Sequence, residues 1–438
     1  MDKFKKIITP YILKNKNIPI LTFNLEEIQK PSFSSYISSF DLKNVNILRQ
    51  DLLPKNFIKV IPDKKLLKEW ITNRQAPKNR KNINTLINYE IQRLQLNDNN
   101  FMNFIDISYG LSLNDSYWIV PDNGKEYKWE DYNLYQNKFS ERLALIAFGE
   151  KNISSSDLFL KETSPEYTTG GMLAKCWTTL NNELVLLKKS SENYKIEALA
   201  EFYMAQVADI MNFNHIDYDI INYHNNLVSS CKIFTTEDRG YCPISAFLSK
   251  NEIASLTPEK LFEKISTITG KEFLEDLVLF DYLIYNEDRH LGNFGMMIDN
   301  NTGRVLEPAP IFDNGNSVLM LYYNLPEEYN KIYARHKLGE KFEVLAKAFV
   351  RERHKVGLEK LKNFSFIRHS KYNLPEDLLK KGEKFIQNNA KIILKELEKK
   401  SELNFDISKK IEKFDLLKDS SKAWTDKVNN DKSNDFER

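Results

Sequence analysis

The sequence predicts an α+β protein in which a β-rich segment passes into a helical one, with a separate α+β domain in front. Three observations carry that expectation. Residues 175–235 alternate strand-like runs and turn signals around one helical repeat. From about Thr257 the apolar spacing becomes helical. The 438 residues make roughly three units of about 150 residues each, and the first 150 mix strand-like and helical patterns. The expected boundaries are 1–150, 151–237 and 238–415, followed by a polar tail over 416–438.

The elements follow in order. In the first domain, Ile18–Phe23 and Phe57–Ile61 are strand-like among helical stretches. Residues 66–86 and 110–120 are dense in Trp, Arg, Asn and Asp. There Trp70 and Trp118 read as core anchors with polar handles, while Arg74, Arg80, Asn114 and Asp115 are the alternative, a contact surface. A loop-like run follows Gly149. KCWTTL and ELVLLK then flank Asn181–Asn182, a hairpin turn signal. Lys195–Met211 carries apolar residues at 196, 199, 203, 207 and 210, which is helical spacing. Ile216–Tyr223 and Leu227–Thr235 are two further strands joined at 224–226. Glu272–Tyr285 is an apolar, buried helix. A polar loop at Asn286–Asn293, a strand at Phe294–Ile298, a turn at 299–303 and a strand at Val305–Leu306 come next. The remainder is helical and lysine-rich to about Lys413.

Composition excludes several classes. Hydrophobic residues are 42% and charged residues 28%, so the chain is not disordered as a whole. Lys and Arg number 63 against 61 Asp and Glu, a net +2, which argues against a chain that coats nucleic acid. Residues 331–400 hold 19 basic and 9 acidic side chains, an excess of 10 that reads as a solvated helical face. Three cysteines without CxxC spacing exclude a disulfide framework and a four-Cys zinc site, and point to a reducing compartment. No signal peptide and no apolar run near membrane-spanning length are present, so a cytoplasmic location without a membrane partner is expected.

The chemistry concentrates in Asn286-Glu-Asp-Arg-His-Leu-Gly-Asn293 and, twenty residues on, Ile311-Phe-Asp-Asn-Gly315. Phosphoryl transfer needs a carboxylate beside the attacking hydroxyl, and an amide oxygen plus a second carboxylate to hold Mg²⁺ against phosphates. Asp288 and Asn293 have the five-residue spacing of catalytic Asp and metal-binding Asn in kinase catalytic loops. Asp313 follows a hairpin and precedes a glycine, where the second metal ligand belongs. Taken singly, each of these residues reads as an ordinary turn former. Their joint spacing after a buried helix favours the chemical reading. His290 either shapes the loop or contacts phosphate.

Thr168-Thr-Gly-Gly-Met-Leu-Ala-Lys175 is the matching phosphate-covering candidate. Gly170 and Gly171 would let backbone N–H groups approach phosphate oxygens, and Thr168, Thr169 and Lys175 flank them. Lys188 ends ELVLLK, where the ATP lysine sits in kinases, with Lys189 as its competitor on the opposite strand face. Glu197 and Glu201 are the candidate partners, Glu201 being the mid-helix choice beside the apolar face. Ile233, Phe234 and Thr235 occupy the position of an adenine-reading hinge.

EDRHLGNFG together with PAPIFDNG resembles the HipA-like serine/threonine kinases, including their CtkA-type members, from about Tyr167 to Asn316. That resemblance implies a two-lobed, protein-kinase-like fold using ATP and Mg²⁺. It further implies a β-rich N-lobe over 151–237 and a helical C-lobe over 238–415. It implies Asp288 as catalytic base, Asn293 and Asp313 as metal ligands, and Lys188 as ATP lysine. A protein substrate with a Ser or Thr acceptor is implied, as are a toxin role with a cognate antitoxin and autophosphorylation in the glycine-rich loop. Thr168 is the nearest hydroxyl for the last, with Thr169 and Ser164 behind it. The chain departs from ordinary protein kinases: Glu287 stands before the catalytic Asp, the metal motif is DNG, and no Ala-Pro-Glu follows. Residues 1–150 do not obviously match the family and their role is left open. Alternatives are a phosphoinositide-like kinase, a small-molecule kinase and a nucleotide-binding pseudokinase. Residues 314–330 carry no Lys or Arg for an anionic headgroup, which weakens the lipid alternative.

Overall fold

The computed structural model describes residues 4–402 apart from 32–35, 58–62, parts of 78–99, 139–140, 150–163, 192–195 and 325–334. The polar tail expected at 416–438 and most of the strand expected at 57–61 lie outside the described residues. The architecture is mixed α+β, with three antiparallel sheets among the described residues.

The first sheet is longer-stranded than expected. Strands β1 (Lys5–Asn15), β2 (Ile18–Pro31) and β3 (Tyr36–Ile47) form a meander, and β4 (Tyr117–Pro121) closes it in the order β3-β2-β1-β4. Alternation explains the shape: Tyr11, Leu13 and Asn15 are buried while their neighbours are not. The core of this unit joins Leu13, Ile20, Phe23 and Ile119 to Leu67, Trp70 and Ile71 of helix α1 (Lys64–Arg74). Asp63 caps α1 by accepting from the Leu66 N–H at 2.8 Å.

Trp70 and Trp118 are buried, as the sequence implies. Trp118 donates Nε1–H to the Lys16 carbonyl at 2.7 Å and packs edge-on against Trp129, centroids 5.9 Å apart. The contact-surface alternative does not hold for Arg74 and Arg80. Arg74 lies over the Trp70 ring at 4.6 Å and grips both Asp115 oxygens, at 2.8 and 2.9 Å. Arg80 has a fully buried side chain.

The second sheet runs β5 (Lys175–Leu180), β6 (Glu183–Lys189), β8 (Asn226–Lys232), β7 (Asp219–Tyr223). Both of its hairpins turn on two residues with positive φ, Asn181–Asn182 and His224–Asn225, the conformation that matches the twist of the flanking strands. Helix α2 (Glu197–Met211) crosses between β6 and β7 and ends at Asn212, whose φ of +58° is left-handed. The expected strand at 216–223 is shorter, because His215 bridges Ile311 and Ile216 N donates to the Ile311 carbonyl at 2.9 Å. The expected strand at 227–235 stops at Lys232, and the chain leaves the sheet.

The third sheet, β11-β10-β9, comprises β9 (Arg239–Pro243), β10 (Gly295–Asp299) and β11 (Val305–Pro308). Helix α3 (Lys271–Ile284) lies between β9 and β10 in the chain and is buried on ten of its positions. Helix α2 shares one core with α3 and with the long helix α4 at 376–402 through Tyr203, Val207, Leu277, Phe280, Ile386 and Ile393.

The N-terminal unit meets the rest through apolar packing, Leu113, Trp118 and Trp129 against Trp177, Leu184 and Ile233, and through a polar seam. The Asn114 carbonyl accepts from Tyr241 N at 2.7 Å, and Asn15 Nδ2 donates to the Asn300 carbonyl at 2.7 Å. Trp129 Nε1 donates to Glu237 at 2.7 Å, and Thr235 Oγ1 donates to the Leu113 carbonyl at 2.5 Å. Gly240 permits the approach, because a Cβ there would lie 2.6 Å from the Asn114 carbonyl oxygen. Trp118→Ala is expected to cost about 3–5 kcal/mol, measured as a lower midpoint in denaturant unfolding followed by tryptophan fluorescence.

Candidate active site

Lys188 is the last-but-one residue of β6 and is buried. Its Nζ donates to Glu201 Oε1 at 2.6 Å and to Asp313 Oδ1 at 3.0 Å. Glu201 sits mid-helix on α2, where nearly every neighbour is buried, and its other oxygen accepts from Ser229 Oγ of β8 at 2.7 Å. Burial pushes the Glu201 carboxyl up against the pull of Lys188. Burial also works against the Lys188 charge, but Asp313 and Glu201 outweigh it and hold the ammonium well above its ordinary value. Asp313 shows the converse. Burial would raise it, yet Lys188 and Lys175 hold it well below the usual carboxylate range, so it is ionised.

The competitors named from the sequence are elsewhere. Lys189 lies over the Phe148 ring at 5.6 Å, and Glu197 accepts from Ser191 Oγ at 3.1 Å.

Arg289, quoted within EDRHLGNFG but given no role there, organises the loop below. Its guanidinium is fully buried and grips Asp281 of α3, with Nε and Nη2 3.1 and 3.0 Å from Oδ1. Nη1 donates to the carbonyls of Asn293, at 3.0 Å, and Phe312, at 2.6 Å, while Nη2 reaches Asn314 Oδ1 at 2.7 Å. His336 closes the group, its Nε2 2.9 Å from Asp281 Oδ2. One side chain thus ties the residue of the first motif to that of the second. Asn293 Nδ2 donates to the Asp288 carbonyl at 3.0 Å, and Asn286 Oδ1 accepts from Asp288 N at 3.0 Å. Both bonds shape the turn and leave the Asp288 side chain partly open. His290 is exposed; its Nδ1 accepts from Gly292 N at 3.0 Å, which fits a loop-shaping role. Asp313 adopts φ +59° and donates its N–H to the Tyr218 hydroxyl at 3.1 Å. Ser229 and Tyr218 were not foreseen, because single hydroxyls in strands carry no spacing signal.

The glycine-rich segment arches over this space. Gly170 and Gly171 are exposed, and Gly171 has φ +85°. A Cβ on Gly171 would collide with Lys175 Nζ. Lys175 pairs in register with Lys188, and burial, reinforced by that neighbour, lowers its ammonium to about 8. Arg80 from the N-terminal unit holds both ends of the loop, donating to the carbonyls of Thr169 at 2.8 Å and Lys175 at 3.3 Å. The hydroxyls considered for modification are all engaged: Thr168 donates to the Leu111 carbonyl at 2.7 Å, Thr169 to the Pro165 carbonyl at 2.7 Å, and Ser164 accepts from Glu166 N at 3.3 Å. At the hinge position, Ile233 N still donates to the Leu184 carbonyl at 3.0 Å. The Phe234 ring stacks on Phe312 with centroids 5.6 Å apart, and Thr235 is buried in the seam.

The donor set fits a hard divalent cation. Asn293 commits its amide nitrogen to Asp288 and so turns its oxygen the other way. Asp313 offers an ionised carboxylate whose second oxygen has no partner among the described residues.

Known proteins were compared with this arrangement. No family model matches the chain. The serine/threonine-protein kinase CtkA of Helicobacter pylori is 25% identical over 181 residues, which are 36% of this chain and 55% of that protein. The chain resembles the HipA-like, CtkA-type kinases. The match to CtkA spans about half of that relative's length. Among solved structures, the H. pylori proinflammatory kinase CtkA gives a TM-score of 0.38 at 17% identity, covering 53% of this chain and 92% of that one. HipA of Shewanella oneidensis, solved with HipB and its operator DNA, gives 0.47 at 12% identity, covering 89% and 97%. No helix among the described residues is long and apolar enough to cross a membrane.

Two outcomes are expected. Asp281→Ala leaves the Arg289 charge buried without its partner, and should cost about 3–5 kcal/mol in chemical unfolding. Lys175 is less basic folded, at about 8, than unfolded, at 10.5. The unfolded chain therefore holds more protons in that window, and stability rises with pH across it. Thermal melts of the protein and of Lys175→Met should show that rise in the former and its loss in the latter.

Proposed function

We propose that the chain is an ATP- and Mg²⁺-dependent serine/threonine protein kinase of the HipA-like type. Its N-lobe would lie over 151–237 and its helical C-lobe over 238–415. The supporting observation is the physical link from Lys188, through Asp313 and Arg289, to the Asp288–Asn293 loop. A positive group, two candidate metal-ligand oxygens and a carboxylate come from three separate segments: β6, the 286–293 loop and the segment after β11.

In this reading Lys188 is held charged by Glu201 and Asp313 and is poised for the α/β-phosphates. Asn293 and Asp313 would hold Mg²⁺. Gly170 and Gly171 leave backbone N–H groups free of side-chain cover, and Lys175 adds a second, weakly basic ammonium over the phosphates. The aromatic group Phe234, Tyr241 and Phe312 would flank the base beside the Ile233–Thr235 hinge. ATP would supply the phosphoryl group, and Mg²⁺ held by Asn293 and Asp313 would supply charge screening for its transfer. Asp288 orients the acceptor hydroxyl and takes its proton as the new O–P bond forms and the bond to the ADP oxygen breaks.

Autophosphorylation remains part of the proposal for Thr168, with Thr169 and Ser164 behind it. Because each hydroxyl is hydrogen-bonded, modification requires the loop to leave Leu111 and Pro165. A cognate antitoxin is proposed as partner. The near-neutral charge still speaks against direct nucleic-acid binding, although the Shewanella HipA structure includes operator DNA.

Asp288→Asn should lower phosphate transfer about a hundred- to ten-thousand-fold while ATP still binds. Asp313→Asn should abolish turnover and weaken Mg²⁺ binding, both read by radiolabel transfer across a Mg²⁺ titration. Full turnover of Asp313→Asn at saturating Mg²⁺ would refute the metal assignment. ATP binding with equal inertness of the wild type and Asp288→Asn would make the chain a pseudokinase.

A further inference from the structure

A cavity of about 510 Å³ opens where three parts of the molecule meet. Thr168 and Gly170 line it from the glycine-rich loop, Lys55 and Asn73 from the N-terminal unit, and Cys242 and Ser245 from β9 and the turn after it. The floor adjoins the catalytic loop, since Ser245 N donates to the Leu291 carbonyl at 3.0 Å and the Tyr241 hydroxyl to the Gly292 carbonyl at 3.0 Å. The cavity therefore borders the phosphate-covering loop directly and the loop that carries Asp288 through Tyr241 and Ser245. In the kinase reading, a chain bearing the acceptor hydroxyl would enter between those two loops.

Its charge is one-sided. Arg74 and Asp115 also line it, but they neutralise each other through paired bonds of 2.8 and 2.9 Å. Lys55 is left over. It is half-buried and has no hydrogen bond or ion pair among the described residues. Burial lowers its ammonium, opposed only by Cys242 across the cavity. A partly desolvated cation without a counterion favours an anion brought in from outside. The other polar lining groups, among them Asn73, Asn114, Ser245 and Asn300, are neutral and suit a peptide backbone.

We propose that this cavity receives the polypeptide flanking the acceptor hydroxyl, and that Lys55 selects an acidic side chain within it. The N-terminal unit would then carry substrate specificity. The proposal rests on the protein-kinase reading, and its test separates the two.

The probes are a short serine peptide flanked by glutamates and its glutamine- and lysine-flanked counterparts. Each is measured twice with the full chain: by fluorescence anisotropy without turnover, and by radiolabel transfer from ATP. The wild type should favour the glutamate over the glutamine peptide by about tenfold in both. Lys55→Ala should level that ratio, and Lys55→Glu should invert it toward the lysine peptide. Because the readout is a ratio within one protein, partial loss of folded material does not mimic it. A wild-type ratio near one, or a ratio unmoved in Lys55→Glu, overturns the proposal even if phosphate is transferred well. Lys55-dependent binding of the glutamate peptide without transfer to any peptide upholds the cavity assignment and overturns the kinase reading instead.

Discussion

The buried guanidinium of Arg289 is the constraint on which the site depends. A planar cation with several fixed donors sits in a pocket that holds the Asp281 carboxylate, two backbone carbonyls and an amide oxygen. Charge balance demands Asp281, and the geometry of the fork dictates how far apart Asn293 and Phe312 lie. Asp313 follows Phe312 directly, so its left-handed backbone is set by a carbonyl already taken. The upper half depends on it in turn, because Lys188 reaches Asp313 as well as Glu201. Strain at one aspartate and burial of one lysine are tolerable because each charge has a partner fixed by another element.

The N-terminal unit extends this frame. Arg80 spans the ends of the glycine-rich loop, Leu111 and Leu113 offer their carbonyls to Thr168 and Thr235, and Asn114 accepts from β9. Two sides of the proposed nucleotide site are thereby pinned by residues outside it. A loop held by carbonyl contacts can be released without disrupting a hydrophobic core.

The motif loops were legible in the sequence because turn chemistry is local. Asp288, Asn293 and Asp313 announce themselves by spacing, and the Asn181–Asn182 hairpin by its residue type. Helix α2 was legible through its period, with a start two residues later than the spacing suggests. The long meander of β1–β3 was not. Its outward face is rich in Lys, Thr, Glu and Asn, so only half of each strand carries an apolar signal. The early end of β8 is a tertiary effect, since Ile233–Thr235 are drawn toward Leu113 and Phe312 rather than along the sheet. The roles of Arg80, Ser229, Tyr218 and Lys55 depend on contacts between residues far apart in the chain, which no window of sequence contains.

The pairing of β1 with β4 has a consequence for biosynthesis. Asn15 finds its seam partner at Asn300, and the edge of Tyr11–Asn15 opposite β2 finds its own only at Tyr117–Pro121. Until then the ribosome exposes a strand edge with unpaired backbone groups, a template for pairing with other chains. At about 5–20 residues per second the wait for Pro121 is on the order of ten seconds. Nascent chains should be most vulnerable to aggregation in that interval. Shortened forms ending before residue 117 would keep the exposed edge permanently.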